Sequence, residues 1–416
     1  MVCLTLLSLA LVGSLAVLTP WGSTSDSEQA GRLLEHYFTP AQIQRSDDFH
    51  DAAKWPSWLR LLMDIVLAVV VGFSPIGRRL VDLVRARQRR WWVQVVALVA
   101  LVSVVVRLLT LPVSAWGHRV ASDYGLATQT WAEWMVDVLK SLGITVMLGS
   151  LALLALVGLA RRFRRRWFVP AACLAAAAAV AVSFAYPLVF EPVFNNFTAL
   201  PDTRLKQQLL DLADRDQIEV SEVLEADASR RTTALNAYVS GIGATKRIVV
   251  YDTLVASAPD REVALVVAHE LGHADANDVL VGTAQAALGS ALAVVALFVV
   301  LSLERLRRPL RAGSAADPAV VPIILALSVL AGFAAAPVVN TVSRQVEGRA
   351  DLHSLELTQE PDTFIALHRR LAVTNLSHLD PNPLLALWFN SHPMTLDRLA
   401  AAEAWRAAHA SDSPSE

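Results

Sequence analysis

The chain has 416 residues, 54% of them hydrophobic and only 18% charged, which excludes an ordinary soluble domain with about 25% charged residues. A formal charge of -2, with the basic residues in short clusters beside apolar runs, excludes a nucleic-acid-binding face. The two cysteines, Cys3 and Cys173, both lie inside apolar runs, which excludes a disulfide framework or a thiolate metal site and leaves the redox compartment open.

A helix needs about 20 apolar residues to cross a bilayer. By that measure the chain predicts seven membrane helices, at roughly 2–19, 58–75, 91–112, 134–160, 168–186, 279–303 and 319–340. The first of these competes with a signal peptide. No basic residue precedes its apolar core, although Leu-Ala-Val-Leu-Thr before Pro20 keeps the alternative open. The expected organisation is a five-helix membrane region over 1–186 and a second region over 187–410 that contains the sixth and seventh helices. A disordered tail follows over 411–416. Between the fifth and sixth helices, Thr203 to Asp216 reads as an amphipathic helix, with Leu205, Leu209, Leu210 and Leu212 at helical spacing. Lys246 to Tyr251 reads as a strand, and Ala237 to Ser240 as its partner, with Gly241 and Gly243 supplying the turn. Helix returns over 260–277, and a second non-membrane stretch begins at Val342.

His269-Glu270-Leu271-Gly272-His273 is an H-E-x-x-H motif. Residues four apart share one face of a helix, so both imidazoles can reach one zinc ion, with Glu270 beside them as general base. Zinc lowers the pKa of a bound water towards ~7, within reach of a carboxylate. The helix-forming run Glu262 to Ala268 before it supplies the geometry that the motif requires. A catalytic zinc takes three protein ligands, and the segment from Asn340 to Asp351 offers the third. Glu347 is read as the ligand, with Asp351 hydrogen-bonding a ligating histidine from behind and Asn340 placed with it in that supporting layer. Alone, an E-x-x-x-D pair is a solvated face; its value comes from lying downstream of H-E-x-x-H at the end of a membrane helix. Asn390-Ser391-His392-Pro393 followed by Arg398 supplies two donors for a developing oxyanion, against the plainer role of His-Pro in opening a helix. The other histidines, including His353, His368 and His378, match no constellation and read as surface or packing residues.

These pieces, in this order, resemble the integral-membrane zinc peptidases typified by CAAX prenyl protease 1. Pro192 to Leu200 (Pro-Val-Phe-Asn-Asn-Phe-Thr-Ala-Leu) resembles the segment opening that family's peptidase region, and Lys246 to Leu254 resembles the strand leading into its zinc helix. Ser229-Arg230-Arg231 with Asn236-Ala237-Tyr238 resembles its substrate-binding edge strand. The similarity covers about 187–405 clearly and the preceding membrane part more diffusely. It implies a mainly α, polytopic membrane protein. Seven helices would form a chambered barrel, joined to a zincin-like metallopeptidase region that contains a small β-sheet. It also implies one Zn2+ per chain on His269, His273 and Glu347, with Glu270 as base. His392 and Arg398 would contact the substrate carbonyl or tetrahedral intermediate, and Asn236, Ala237 and Tyr238 would pair with a substrate strand. Two departures stand out: Ala274-Asp275-Ala276-Asn277-Asp278 replaces the aromatic and further histidine of eukaryotic members, and their insertion before the zinc helix is absent. The arginine-rich composition suggests a bacterial source, where prenylated CAAX proteins are generally lacking.

Arginines gather in the loops after the second, fourth and sixth helices: Arg78, Arg79, Arg85, Arg87, Arg89 and Arg90; Arg161, Arg162, Arg164, Arg165 and Arg166; Arg305, Arg307, Arg308 and Arg311. Short arginine-rich loops stay cytoplasmic, which predicts an extracytoplasmic active site in the cell membrane, whereas the family resemblance implies a cytosolic one. The expected partners are the lipid bilayer and a polypeptide substrate, lipidated or membrane-associated, with no nucleic acid and a monomer as the simplest assembly. A quality-control metalloprotease shares every one of these features. A site-2 type intramembrane protease would carry its motif inside a membrane helix, whereas here charged Asp260, Arg261 and Glu262 precede it. A non-catalytic receptor or transporter would leave three ligands and a general base without a purpose.

Overall fold

The computed structural model describes residues 2–21, 27–241 and 246–410, so Gly243 and the 411–416 tail lie outside the described residues. The helices follow in chain order: α1 (Val2–Leu18), α2 (Ser27–Tyr37), α3 (Pro40–Phe73), α4 (Pro75–Arg87), α5 (Trp91–Asp123), α6 (Trp131–Arg162), α7 (Phe168–Ala185) and the short α8 (Glu191–Phe194). Strand β1 (Phe197–Ala199), helix α9 (Arg204–Arg215) and strands β2 (Glu222–Ala226), β3 (Ala237–Ser240) and β4 (Arg247–Tyr251) come next. Then come α10 (Asp252–Ser257), α11 (Asp260–Asp275), α12 (Asp278–Ser302), α13 (Glu304–Arg307), α14 (Val321–Thr358), α15 (Pro361–Thr374), α16 (Pro383–Phe389) and α17 (Thr395–Ala410).

Among the described residues, six helical stretches are long and apolar enough to span a membrane: α3, α5, α6, α7 continued to Phe194, α12, and α14 with the turn before it. The remaining one of the seven expected helices, α1, has 17 residues. It rises only about 26 Å, short of a bilayer core of about 30 Å. It packs on α12, where Leu7 meets the small buried patch of Ala172, Ala291 and Val295.

The helices run well past the apolar windows visible in the sequence. Helix α3 starts at Pro40 because Thr39 and Gln42 close a capping box there, and α6 starts at Trp131 through the same device between Thr130 and Glu133. Helix α14 keeps its 38-residue course through Pro337. A proline in a helix orphans the carbonyl four residues earlier, and here the Trp388 indole N–H donates to that carbonyl, on Phe333, at 3.2 Å.

The sheet runs in the order β1-β2-β4-β3, with β2 and β4 parallel and the outer pairs antiparallel. Only the β3–β4 pair was expected; β1 is three residues long and β2 carries two glutamates, so neither shows a clean alternation. Strand β3 lies at the edge. The sheet packs on α9 and α11, with α15 against α11 and α17 against α15, in one core that includes buried Leu209, Ile248, Val263, Leu271, Phe364 and Leu399. From Glu262 to Ala268 helix α11 is buried on every face. A chain segment so enclosed can position side chains closely. Gly272 marks where α14 comes closest, since a Cβ there would meet the His353 ring and Cβ at 3.0–3.1 Å.

Candidate metal centre

Helix α11 carries His269, Glu270 and His273, and α14 crosses it with Glu347 and Asp351. The Nε2 atoms of the two histidines lie 3.2 Å apart. Glu347 places Oε2 at 3.3 Å from the His269 Nε2 and Oε1 at 3.7 Å from the His273 Nε2. A tetrahedral zinc with ligand bonds of about 2.05 Å sets its ligand atoms about 3.3 Å apart. The residues therefore fit the ion.

The far side of each ring supports the same reading. The Nδ1 of His269 faces Asp351 Oδ1 at 2.9 Å, and the Nδ1 of His273 faces Asp278 Oδ2 at 2.9 Å. An aspartate at Nδ1 favours the proton there in a neutral ring, which leaves the Nε2 lone pair of each histidine available to a metal ion. Two lone pairs at this distance repel, and a cation between them turns the repulsion into coordination. Each aspartate is in turn paired with an arginine: Asp351 with Arg398 at 3.2 Å, and Asp278 with Arg349.

Glu270 points to the same opening. Its carboxylate accepts a hydrogen bond from the Val239 backbone N–H on β3, and burial pushes its carboxyl up from the ordinary value. His392 reaches the centre from the loop after α16, its Nε2 3.4 Å from Glu347 Oε2 with 64% of its side chain exposed. It is thus adjacent and accessible.

Arg398, expected to contact the substrate carbonyl, lies within the centre, its guanidinium 3.1 Å from Glu347 Oε2 and 3.2 Å from Asp351 Oδ2. Asn340 was read as supporting the ligands; it lies about two turns before Glu347 and donates to the Trp388 carbonyl. Together with Arg344, which donates to the carbonyls of Ala386 and Asn390, it holds α16 and hence the loop bearing His392. Of the edge-strand residues, Tyr238 donates its hydroxyl to Glu191 at 3.3 Å, and the Asn236 carbonyl accepts from the Tyr251 N–H.

Sequence reasoning missed Asp278 as the partner of His273, and it read His368 as a surface or packing residue. Asp278 opens α12 straight after Asn277, whose left-handed φ of 56° turns the chain back towards His273. Its place five residues after the second histidine was noted only as a departure from a pattern. His368 carried no signal: it lies buried against Phe364 behind Arg398 and Asp351, and burial pushes it down to about 3, so it stays neutral.

Comparison with known proteins gives the family of the chain. The family model of peptidase family M48 matches residues 199–406, and that of the CAAX prenyl protease N-terminal region, with five membrane helices, matches 24–196. The chain is 30% identical over 373 residues to the uncharacterized metalloprotease YhfN of Bacillus subtilis (strain 168), covering 88% of this chain and 87% of that protein. The chain belongs to peptidase family M48. This M48 member is also 28% identical to CAAX prenyl protease 1 of Saccharomyces cerevisiae, over 74% of this chain and 72% of the yeast protein. The crystal structure of S. mikatae Ste24p shares the fold, with a TM-score of 0.79 and 22% identity over 97% of this chain and 96% of that one. It is a multi-pass membrane protein and a zinc metalloendopeptidase by family. A bacterial origin is consistent with the Bacillus relative.

Proposed function

We propose that His269, His273 and Glu347 hold one Zn2+ per chain, and that this centre hydrolyses peptide bonds of membrane-associated or lipidated polypeptides. The observation that carries this reading is the triad of donor atoms 3.2–3.7 Å apart, on rings whose outer nitrogens face aspartates. When bound, zinc supplies Lewis acidity towards a water molecule and the scissile carbonyl.

The chain's own residues do the rest. Glu270, raised by burial, accepts a proton from the attacking water and passes it to the leaving amine nitrogen as the C–N bond breaks. The imidazole of His392 stands where it can donate to the carbonyl oxygen as it gains charge. Arg398 acts through Glu347 and Asp351, fixing the orientation of a ligand and of the carboxylate behind His269. Strand β3 is the sheet edge nearest the base, since Val239 bonds Glu270. A substrate segment running along Asn236, Ala237 and Tyr238 in extended form would meet the carboxylate without further adjustment.

The lipid-linked part of the proposal rests on the likeness to the yeast relative, a CAAX prenyl protease. For orientation, the arginine-bearing loops converge at one end: Arg85 pairs with Asp317, Arg161 donates to the Ala316 carbonyl, and Arg307 donates to the Ala312 carbonyl. We take that end as cytoplasmic and the metal centre, on the far half of α14, as extracytoplasmic. A reporter active only in the cytoplasm, fused after Glu416, reverses this if it lights up.

The test of the reaction uses wild type and Glu270→Ala, purified in detergent. Both are expected to bind one zinc, while only wild type cleaves a fluorogenic peptide library and loses activity on chelation. Zinc-loaded wild type without turnover would remove the peptidase reading for this centre.

A further inference from the structure

A second polar site lies at the arginine-rich end of the molecule, away from the metal centre. Between the α6–α7 loop and the loop leading into α14 is a cavity of about 510 Å³, lined by Arg161, Arg164 and Trp167 on one side and by residues 313–318 on the other. Its one acidic lining residue, Asp317, is already spoken for. Its Oδ1 takes Arg85 at 2.5 Å and the Ala319 N–H, and its Oδ2 takes the Gly313 N–H. Arg161 is held in place by the Ala316 carbonyl at 3.3 Å and by stacking over the Trp91 ring at 5.3 Å. Neither contact neutralises its charge. Arg164 has no ion pair among the described residues. The cavity therefore carries two uncompensated guanidinium groups and no free anion.

Its position narrows the ligand. Arg161 closes the last turn of α6, Trp167 caps α7, and Trp91 opens α5, all ends of membrane-length helices. Trp167 is buried in the core and lines the cavity from within, while the exposed Arg161 and Arg164 at the end of a membrane-length helix lie where long basic side chains meet the headgroup region. Planar guanidinium groups there match the paired oxygens of a phosphate. We propose that this cavity binds a phosphate group, carried by the headgroup of an anionic membrane lipid.

The test titrates short-chain phosphatidylglycerol, phosphatidylcholine and inorganic phosphate into the full chain in detergent, following intrinsic tryptophan fluorescence. Phosphatidylglycerol is expected to bind more tightly than phosphatidylcholine. Arg164→Gln, which breaks no ion pair or hydrogen bond among the described residues, should weaken it about fivefold, the value of roughly 1 kcal/mol for one arginine near a charged lipid. Arg161→Gln should weaken it further, while Arg89→Gln, an exposed arginine on the same end but outside the cavity, should leave it unchanged. Inorganic phosphate competing with the same arginine dependence keeps the phosphate site and reassigns its source to the free ion. Equal loss with Arg89→Gln means diffuse surface charge and overturns the proposal, as does full affinity in Arg164→Gln.

Discussion

His269 and His273 each face an aspartate that pairs with an arginine, yet the two arrangements sit at different depths. Behind His269, the side chains of Asp351 and Arg398 are 5% and 11% exposed. Behind His273, those of Asp278 and Arg349 are 16% and 32% exposed. The same chemistry is thus built once in a drier interior and once near water. Charge interactions weaken steeply as solvent enters, and a buried charge left without its partner is penalised far more than an exposed one. The deeper arrangement also reaches a second ligand, because Arg398 bridges Asp351 and Glu347, whereas Arg349 serves Asp278.

This contrast can be sharpened by separating catalysis from metal holding. Glu270→Gln leaves both arrangements intact and should lower kcat by about 10²–10⁴-fold with zinc retained. Loss of zinc from this variant would show Glu270 to be part of the holding set. His392→Ala should cost about 10²–10³ in kcat, again with zinc retained. Arg398→Ala, by contrast, should reduce zinc content itself, which distinguishes a residue that acts through the ligands from one that meets substrate. The depth argument meets its direct trial in zinc competition titrations. Partners behind metal ligands are worth about 10–100-fold in affinity, and Asp351→Asn should fall at the upper end with Asp278→Asn at the lower. An equal or inverted order would refute the argument. The smallest effect concerns the crossing that sets both arrangements: Gly272→Ala presses a methyl on His353 and should destabilise by about 1–3 kcal/mol, read by thermal unfolding.

What the sequence disclosed follows from local spacing rather than from depth. His269, Glu270 and His273 were legible because fixed helical spacing brings them together without help from any other element. Glu347 and Asp351 were legible because one continuous helix carries both. Asp278 was not, because it depends on a left-handed turn at Asn277, a conformation that spacing does not reveal. Arg349 was invisible until its partner was known. Arg398 was legible from its place after Asn390 to Pro393, but its bridging of Glu347 and Asp351 was not, and His368 carried no pattern, because α17 and α15 are placed by apolar packing. In the fold, apolar windows located the membrane helices, while their extent was set by polar caps such as Thr39 and Thr130, and the two weak strands lacked the alternation that marks a sheet.

Helix α14 is unbroken from its membrane-length apolar half to Asp351, and within its last turns Arg344 engages the Asn390 carbonyl, Arg349 engages Asp278, and Glu347 and Asp351 both engage His269. Each residue of an α-helix advances the phase by about 100°. One residue inserted or deleted between Pro337 and Arg344 would therefore rotate all four groups away from their partners at once, relative to the span that anchors them. The helix behaves as a keyed shaft. For the proposed zinc site its length in this stretch matters as much as the proposed ligand Glu347 that it carries, and variation in chain length has to be absorbed in the loops.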